Sequence, residues 1–250
     1  MPAASVDYDR EARHYQAGRG VPIESLEPWR EHIARVLPLD RRPLLDIGAG
    51  TGVWTRAFSV WFEAWVVAVE PSAGMRSVGT EVGLPTKTHY VAARAEPLPF
   101  GAATCGAAWL STVIHHLSDL NACARELRRV LARGAPVMIR NSFPGRLDEV
   151  ELFRHFPAAA AVAAKWPTLE QTVSTFADAG FAESSITRVR EDRWRELRRV
   201  RDFAVAMRHT DSALAPISDA EFDEGLANID AAIAKGQRPR PEGVDLVVLV

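Results

Sequence analysis

Leu44-Leu-Asp-Ile-Gly-Ala-Gly-Thr-Gly52 is the stretch that decides the fold. An apolar strand runs into glycines 48, 50 and 52, which let the chain turn tightly and bring backbone close to a ligand. A helix from about Thr51 then offers unpaired N–H groups near an anionic group such as a carboxylate. Twenty-four residues after Asp46, a second apolar run ends in Val67-Ala-Val-Glu70, an acid placed to accept hydrogen bonds from both hydroxyls of a ribose. A glycine turn alone is weak evidence, but the turn plus a strand-terminal acid at this distance is much stronger. The dinucleotide pattern G-x-G-x-x-G needs a third glycine at 53, where this chain has Val53. That spacing counts against an NAD-dependent dehydrogenase.

Outward from this turn, strand-like runs alternate with helical patterns. The runs are 43–48, 65–70, 89–92, 105–110 and 136–141, then 185–190 and 244–250. Leu117–Leu131 carries helical apolar spacing. The alternation predicts an α/β fold, a doubly wound, mostly parallel seven-stranded sheet in one domain over 1–250. Ligands of such sheets bind beyond the carboxyl ends of the strands. Residues 144–166 and 194–240 interrupt the alternation with helical sequence, as insertions suited to a substrate cap, surface decoration or a dimer face. Thr168 with Gln171 and Ser218 with Glu221 are capping-box pairs, Ile217 is placed to staple onto Phe222, and Gly180 and Gly236 stop the two helices.

Composition narrows the class. The chain has 250 residues, 47% hydrophobic and 25% charged, with a formal net charge of −2. That balance supplies no global field for nucleic acid. The arginines crowded over 188–201 are diluted by Glu191, Asp192 and Glu196, and read first as a solvated, salt-bridged face. No apolar run has membrane-spanning length, the first fifteen residues lack a secretory apolar stretch, and no His/carboxylate cluster has metal-ligand spacing. Cys105 and Cys123 are expected to be buried thiols of a cytoplasmic protein.

In order and spacing, residues 7–142 resemble the class I S-adenosylmethionine-dependent methyltransferases, whose sheet is Rossmann-like. LDIGAGTG is similar to that family's first motif, VVAVEPSAGM to its second and RAEPLPF to its adenine segment. STVIHHLSDLNACARELRRVL and the opening YDREARHYQAGRG resemble the small-molecule branch that includes the ubiquinone and menaquinone methyltransferases. The resemblance implies S-adenosyl-L-methionine as cofactor and, residue by residue, a set of roles. Gly48, Ala49 and Gly50 would border its methionine part and Asp46 would hold its amino group. Glu70 would hold the ribose with Pro71 beside it, Met75 would pack near adenine, and Ala95 would offer an N–H to the ring. Arg94 stands where the family often has Asp, which leaves Glu96 or a backbone carbonyl for the adenine amino group. Ser111 would lie under the sulfonium, with Tyr15 and Arg19 folding over it in an N-terminal helical flap (1–40).

His116, with His115 beside it, stands where a general base would face the methyl group. The resemblance pairs His116 with Tyr15, or failing that Tyr8. Asn141, Arg146 and His155 follow strand five as substrate candidates. Each residue also has a plain structural role open to it: Asp46 as a turn cap, Met75 as core, the histidines as helix caps. The implied activity is methyl transfer to an O, N or C atom of a partly hydrophobic small molecule in specialised metabolism. No nucleic-acid or membrane partner is expected, and the chain is taken as a monomer or homodimer. RNA or protein methylation, and a cofactor-bound cyclase or binding protein, remain as alternatives.

Overall fold

In the computed structural model, residues 6–38 and 41–250 are described, so residues 1–5 and 39–40 of the expected flap lie outside that description. Seven strands form one sheet: β1 (Leu44–Ile47), β2 (Val66–Val69), β3 (Thr88–Val91), β4 (Ala107–Ser111), β5 (Val137–Asn141), β6 (Glu183–Glu191) and β7 (Glu242–Leu249). Their order is β3-β2-β1-β4-β5-β7-β6, parallel except that β7 runs antiparallel to both neighbours. The helices are α1 (Tyr8–Arg19), α2 (Glu27–Ala34), α3 (Val53–Phe62), α4 (Ala73–Val82), α5 (Leu120–Val130), α6 (Glu151–His155), α7 (Pro157–Ala163), α8 (Leu169–Asp178), α9 (Leu197–Ala206) and α10 (Asp219–Ala234).

The strands alternate their side chains between two cores, as a period of two requires. Leu45, Ile47, Leu110 and Ile139 pack with Cys123 and Leu127 of α5 and Phe176 of α8. Leu44, Trp109 and Met138 face the other way, onto Trp29 and Ile33 of α2 and Phe58 of α3. This is the doubly wound arrangement. A separate core of Leu152, Phe156, Val200, Phe203 and Phe222 joins α6, α7, α9 and α10 into a helical group with no strand in it. Ile217 and Phe222 are both buried there, and both capping boxes are formed.

Some boundaries differ from the pattern in the sequence. α5 begins three residues later than its apolar spacing suggests, because Asp119 caps it by accepting from the Ala122 N–H at 2.9 Å. Ile114–His116 make a separate 3-10 turn before it. α3 starts at Val53, since Gly52 sits in the left-handed region at φ 79°. Cys105 and Cys123 are both buried free thiols. Among the described residues, no helix is long and apolar enough to cross a membrane.

Candidate active site

The glycine turn follows β1, with φ of 66° at Gly48, 56° at Gly50 and 79° at Gly52, a region that side chains other than glycine's rarely adopt. Its first three donors are spoken for: Gly48 and Ala49 N–H give to the Val69 carbonyl, and Gly50 N–H gives to Glu70 Oε2 at 2.8 Å. Glu70 Oε1 accepts from Ser72 N–H at 2.9 Å. The strand-terminal acid therefore locks the turn to the start of α4. Each carboxylate oxygen keeps a further lone pair for a ribose hydroxyl. Burial raises the Glu70 pKa, and these two backbone hydrogen bonds oppose that rise.

Asp46 is buried and accepts from Thr55 Oγ1 at 2.6 Å. Burial pushes its pKa up to about 7, against the Thr55 hydrogen bond and with the Glu70 charge adding to the rise. A cation beside it would relieve that cost. After β3, Glu96 Oε1 accepts from Ser118 at 2.7 Å, while its Oε2 is buried without a partner. Thr51 Oγ1 is also buried without one. Buried polar atoms that bond to nothing in the protein are what a polar ligand would satisfy. The residues present thus fit a nucleoside carrying an ammonium group. Ala95 is buried, Ser111 ends β4 half-buried, and Pro71 is exposed beside Glu70.

α1 lies over this region. Asp9 accepts from Ser72 Oγ at 2.7 Å and Gly74 N at 2.9 Å, which seats α1 on α4. Met75 packs with Ala12, Val78, Tyr8 and Tyr15. A Cβ placed on Gly50 would meet only the Tyr15 ring, at 3.7 Å. One expectation is corrected here. The histidine's partner is Tyr8, whose hydroxyl lies 3.3 Å from His116 Nε2, whereas Tyr15 covers the glycine turn. Tyr8 reaches His116 because it opens α1, at the end of the helix away from Arg19. Arg19, the other flap residue, pairs with Asp211 at 2.6 Å.

His115 is held by two residues of the helical group. Its Nε2 lies 2.9 Å from Ser212 Oγ, and its ring stacks on Trp166 at 3.8 Å and 8°. Burial, then the neighbouring His116 and Arg19, put its pKa well below the histidine range. His116 has an exposed edge, yet the protein crowded around its ring lowers its pKa to about 4, with Asp211 opposing and Arg19 assisting. Both rings are neutral at neutral pH.

Beyond β4 and β5 lies a cavity of about 80 Å³ whose walls join the strand ends to the helical group. Asn141 lines it, and its Nδ2 gives to the Ser142 carbonyl. Arg146 and His155, the other two substrate candidates, do not line it. Arg146 is drawn to Asp245 at 2.7 Å, and His155 to Glu151 at 3.2 Å. The sequence reading missed Thr112, Arg193, Asp211 and Ser212, which the cavity brings together. Thr112 is recognisable only in three dimensions, as a β-branched residue at φ 54° directly after β4. Arg193 was hidden in the arginine-rich segment, which the structure divides. Arg188 pairs inward with Glu149 and Asp245, Arg193 faces the cavity, and Arg198 and Arg199 are exposed.

Comparison with known proteins bears on the same half. Residues 45–139 match the family described as a methyltransferase domain. The biotin biosynthesis bifunctional protein of Cellvibrio japonicus is 34% identical over 45% of this chain and 22% of its own length. The ubiquinone/menaquinone biosynthesis C-methyltransferase of Vibrio parahaemolyticus is 31% identical over 38% of this chain and 39% of its own. The matches therefore span well under half the length of these curated relatives. A crystal structure from Anabaena variabilis, of a protein assigned to methyl transfer in an antibiotic biosynthesis pathway, superposes with a TM-score of 0.73. It is 19% identical and the overlap covers 88% of this chain and 96% of that one.

Proposed function

From residues 45–139, a methyltransferase domain on the class I fold, we propose that the chain transfers a methyl group from S-adenosylmethionine to a small organic molecule. The observation that carries this is the set of unmet demands along one path. Asp46 is buried with its pKa raised despite the Thr55 hydrogen bond, Glu70 keeps spare lone pairs, and Glu96 Oε2 has no partner. When bound there, the cofactor supplies an electrophilic methyl on a sulfonium.

In this reading Asp46 would hold the ammonium, Glu70 the ribose hydroxyls and Glu96 the adenine amino group. Ser111, at the end of β4, would border the sulfonium part, and the helices at 144–166 and 194–240 would act as the substrate cap. α1 closes the site and excludes water, so that the acceptor is held in line with the methyl. A hydroxyl or acidic carbon acceptor gives up its proton as it attacks. Tyr8, whose pKa is raised by burial and by Tyr15, stays protonated and relays through its hydroxyl to neutral His116. His116 is thereby the proton acceptor.

The test is formation of S-adenosylhomocysteine by the full chain with labelled methyl donor and a panel of small acceptors, with RNA and protein as parallel arms. Label in a small molecule supports the proposal. Label confined to RNA or protein overturns the substrate class, and no label in any arm overturns the activity.

A further inference from the structure

The strand-end cavity contains one cation with nothing to bind. Three arginines line it. Arg19 is paired with Asp211, and Arg140 with Glu191 at 2.5 Å. Arg193 forms no hydrogen bond or ion pair among the described residues. Its guanidinium instead lies over the rings of Trp194 at 4.4 Å and Phe203 at 4.7 Å. Contact with ring faces holds a guanidinium in place but leaves its five N–H donors, which lie in the plane, unspent. Arg19 shares the Phe203 ring, at 5.3 Å, and its Nε is buried without a partner. Burial and the Arg19 charge lower the Arg193 pKa to about 10, so it remains charged in a field that an anion would relieve.

The walls limit which anion fits. Glu191, Asp211 and Glu242 also line the cavity. Asp211 and Glu191 are engaged by their arginines, and Glu242 accepts from Trp194 Nε1 and Glu151 N, both at 2.9 Å. Three carboxylates beside one free guanidinium disfavour a dianion. A volume of about 80 Å³ admits a head group and leaves the rest of a ligand against Trp166 and Phe153. A planar carboxylate matches the fork of an arginine in two parallel hydrogen bonds.

We propose that Arg193 is a substrate-recognition residue that binds the carboxylate of an aromatic small molecule in this cavity. The inference rests on the cavity being the acceptor site of the proposed methyltransferase, and names the class of acceptor. The carboxylate is the group by which the molecule is held.

The experiment is calorimetric titration of the full chain with sodium benzoate, with neutral benzyl alcohol and with inorganic phosphate, alongside S-adenosylhomocysteine. Benzoate is expected to bind saturably and at least about tenfold more tightly than benzyl alcohol. Arg193→Gln should weaken benzoate by about tenfold or more and leave benzyl alcohol unchanged. Arg193→Lys, which keeps the charge without the fork, should fall between the two. The inference is overturned if benzoate binds no better than benzyl alcohol, or if a folded Arg193→Gln protein binds benzoate as the parent does. Tighter binding of phosphate in competition with benzoate overturns the choice of a monoanion. Should Arg193→Gln fail to fold, the comparison of benzoate with benzyl alcohol on the unaltered chain still decides. S-adenosylhomocysteine binding without benzoate binding defeats this inference alone, whereas benzoate binding without S-adenosylhomocysteine binding defeats the cofactor reading.

Discussion

Residues 44–141 and 142–234 meet at one cavity but are built on different rules. In the first region the ligand-facing groups are backbone turns and acids at strand ends, fixed by the sheet that carries them. Gly50, Glu70 and Ser72 form one hydrogen-bonded unit, and Tyr90 adds its hydroxyl to the Gly50 carbonyl at 2.9 Å. In the second region the cavity-lining groups come from the end of β6, the loop after it and short helices with a core of their own around Phe156 and Phe222. α1 ties the two together, bonded to α4 through Asp9 and to the helical group through Arg19. The contrast is one of construction: the first region takes its site from the sheet, and the second adds groups from a core with no strand in it.

The largest effect that separates the halves is on folding. Phe58→Ala and Phe156→Ala each delete a fully buried ring, and each should cost about 3–5 kcal/mol. Urea unfolding should show Phe58→Ala lowering the main transition. Phe156→Ala should loosen the helical group first, with S-adenosylhomocysteine affinity retained. Equal loss of that affinity in both variants, under conditions where both are folded, would mean the halves are one unit.

Next in size is chemistry at their junction. His116→Ala should lower kcat by about a hundredfold with cofactor affinity unchanged. Tyr8→Phe should share much of that loss and Tyr15→Phe little of it. Full activity in His116→Ala would leave the histidine only its place in the 3-10 turn.

Within the first region, Glu70→Ala should weaken cofactor binding by about 1–3 kcal/mol, the cost of hydroxyls left unpaired at a desolvated site. Calorimetry that shows unchanged affinity would remove Glu70 from the ribose.

The smallest effect is a pH dependence confined to the same half. Asp46 has its pKa raised to about 7 in the free protein, so at pH 6 it is mostly protonated. An ammonium beside it favours the carboxylate, so binding releases a proton. Affinity should therefore rise with pH, by up to about tenfold per unit below pH 7, and level off above it. For folding the sign is reversed. The raised pKa favours the native state below the unfolded value near 4, and that contribution is lost as pH rises through 7. Buffer-dependent calorimetry reads the proton directly, and affinity that stays flat from pH 5.5 to 8 would take the ammonium away from Asp46.

How much of this was legible in the sequence follows the same division. Positive φ at Gly48, Gly50 and Gly52 demands glycine, so the turn is written in residue types. The capping boxes at Thr168 and Ser218 are local and equally plain. The cavity is not, because its pairings are long-range: Arg19 with Asp211 is 192 positions apart, and His115 with Ser212 is 97. Arg193 differs from the exposed Arg195 only in where the chain leaving β6 turns it, and residue identity carries no trace of that. The pairings of Arg146 with Asp245 and of His155 with Glu151, both with buried acids, are likewise visible only in the fold.

The central claim is that the turn at 44–52 and the acids after it bind S-adenosylmethionine. Titration calorimetry of the full chain at pH 8 with S-adenosylmethionine and, separately, with NAD tests it most directly. Micromolar binding of S-adenosylmethionine with no heat from NAD is the predicted result. Binding of NAD, or of neither ligand by the folded protein, would contradict it.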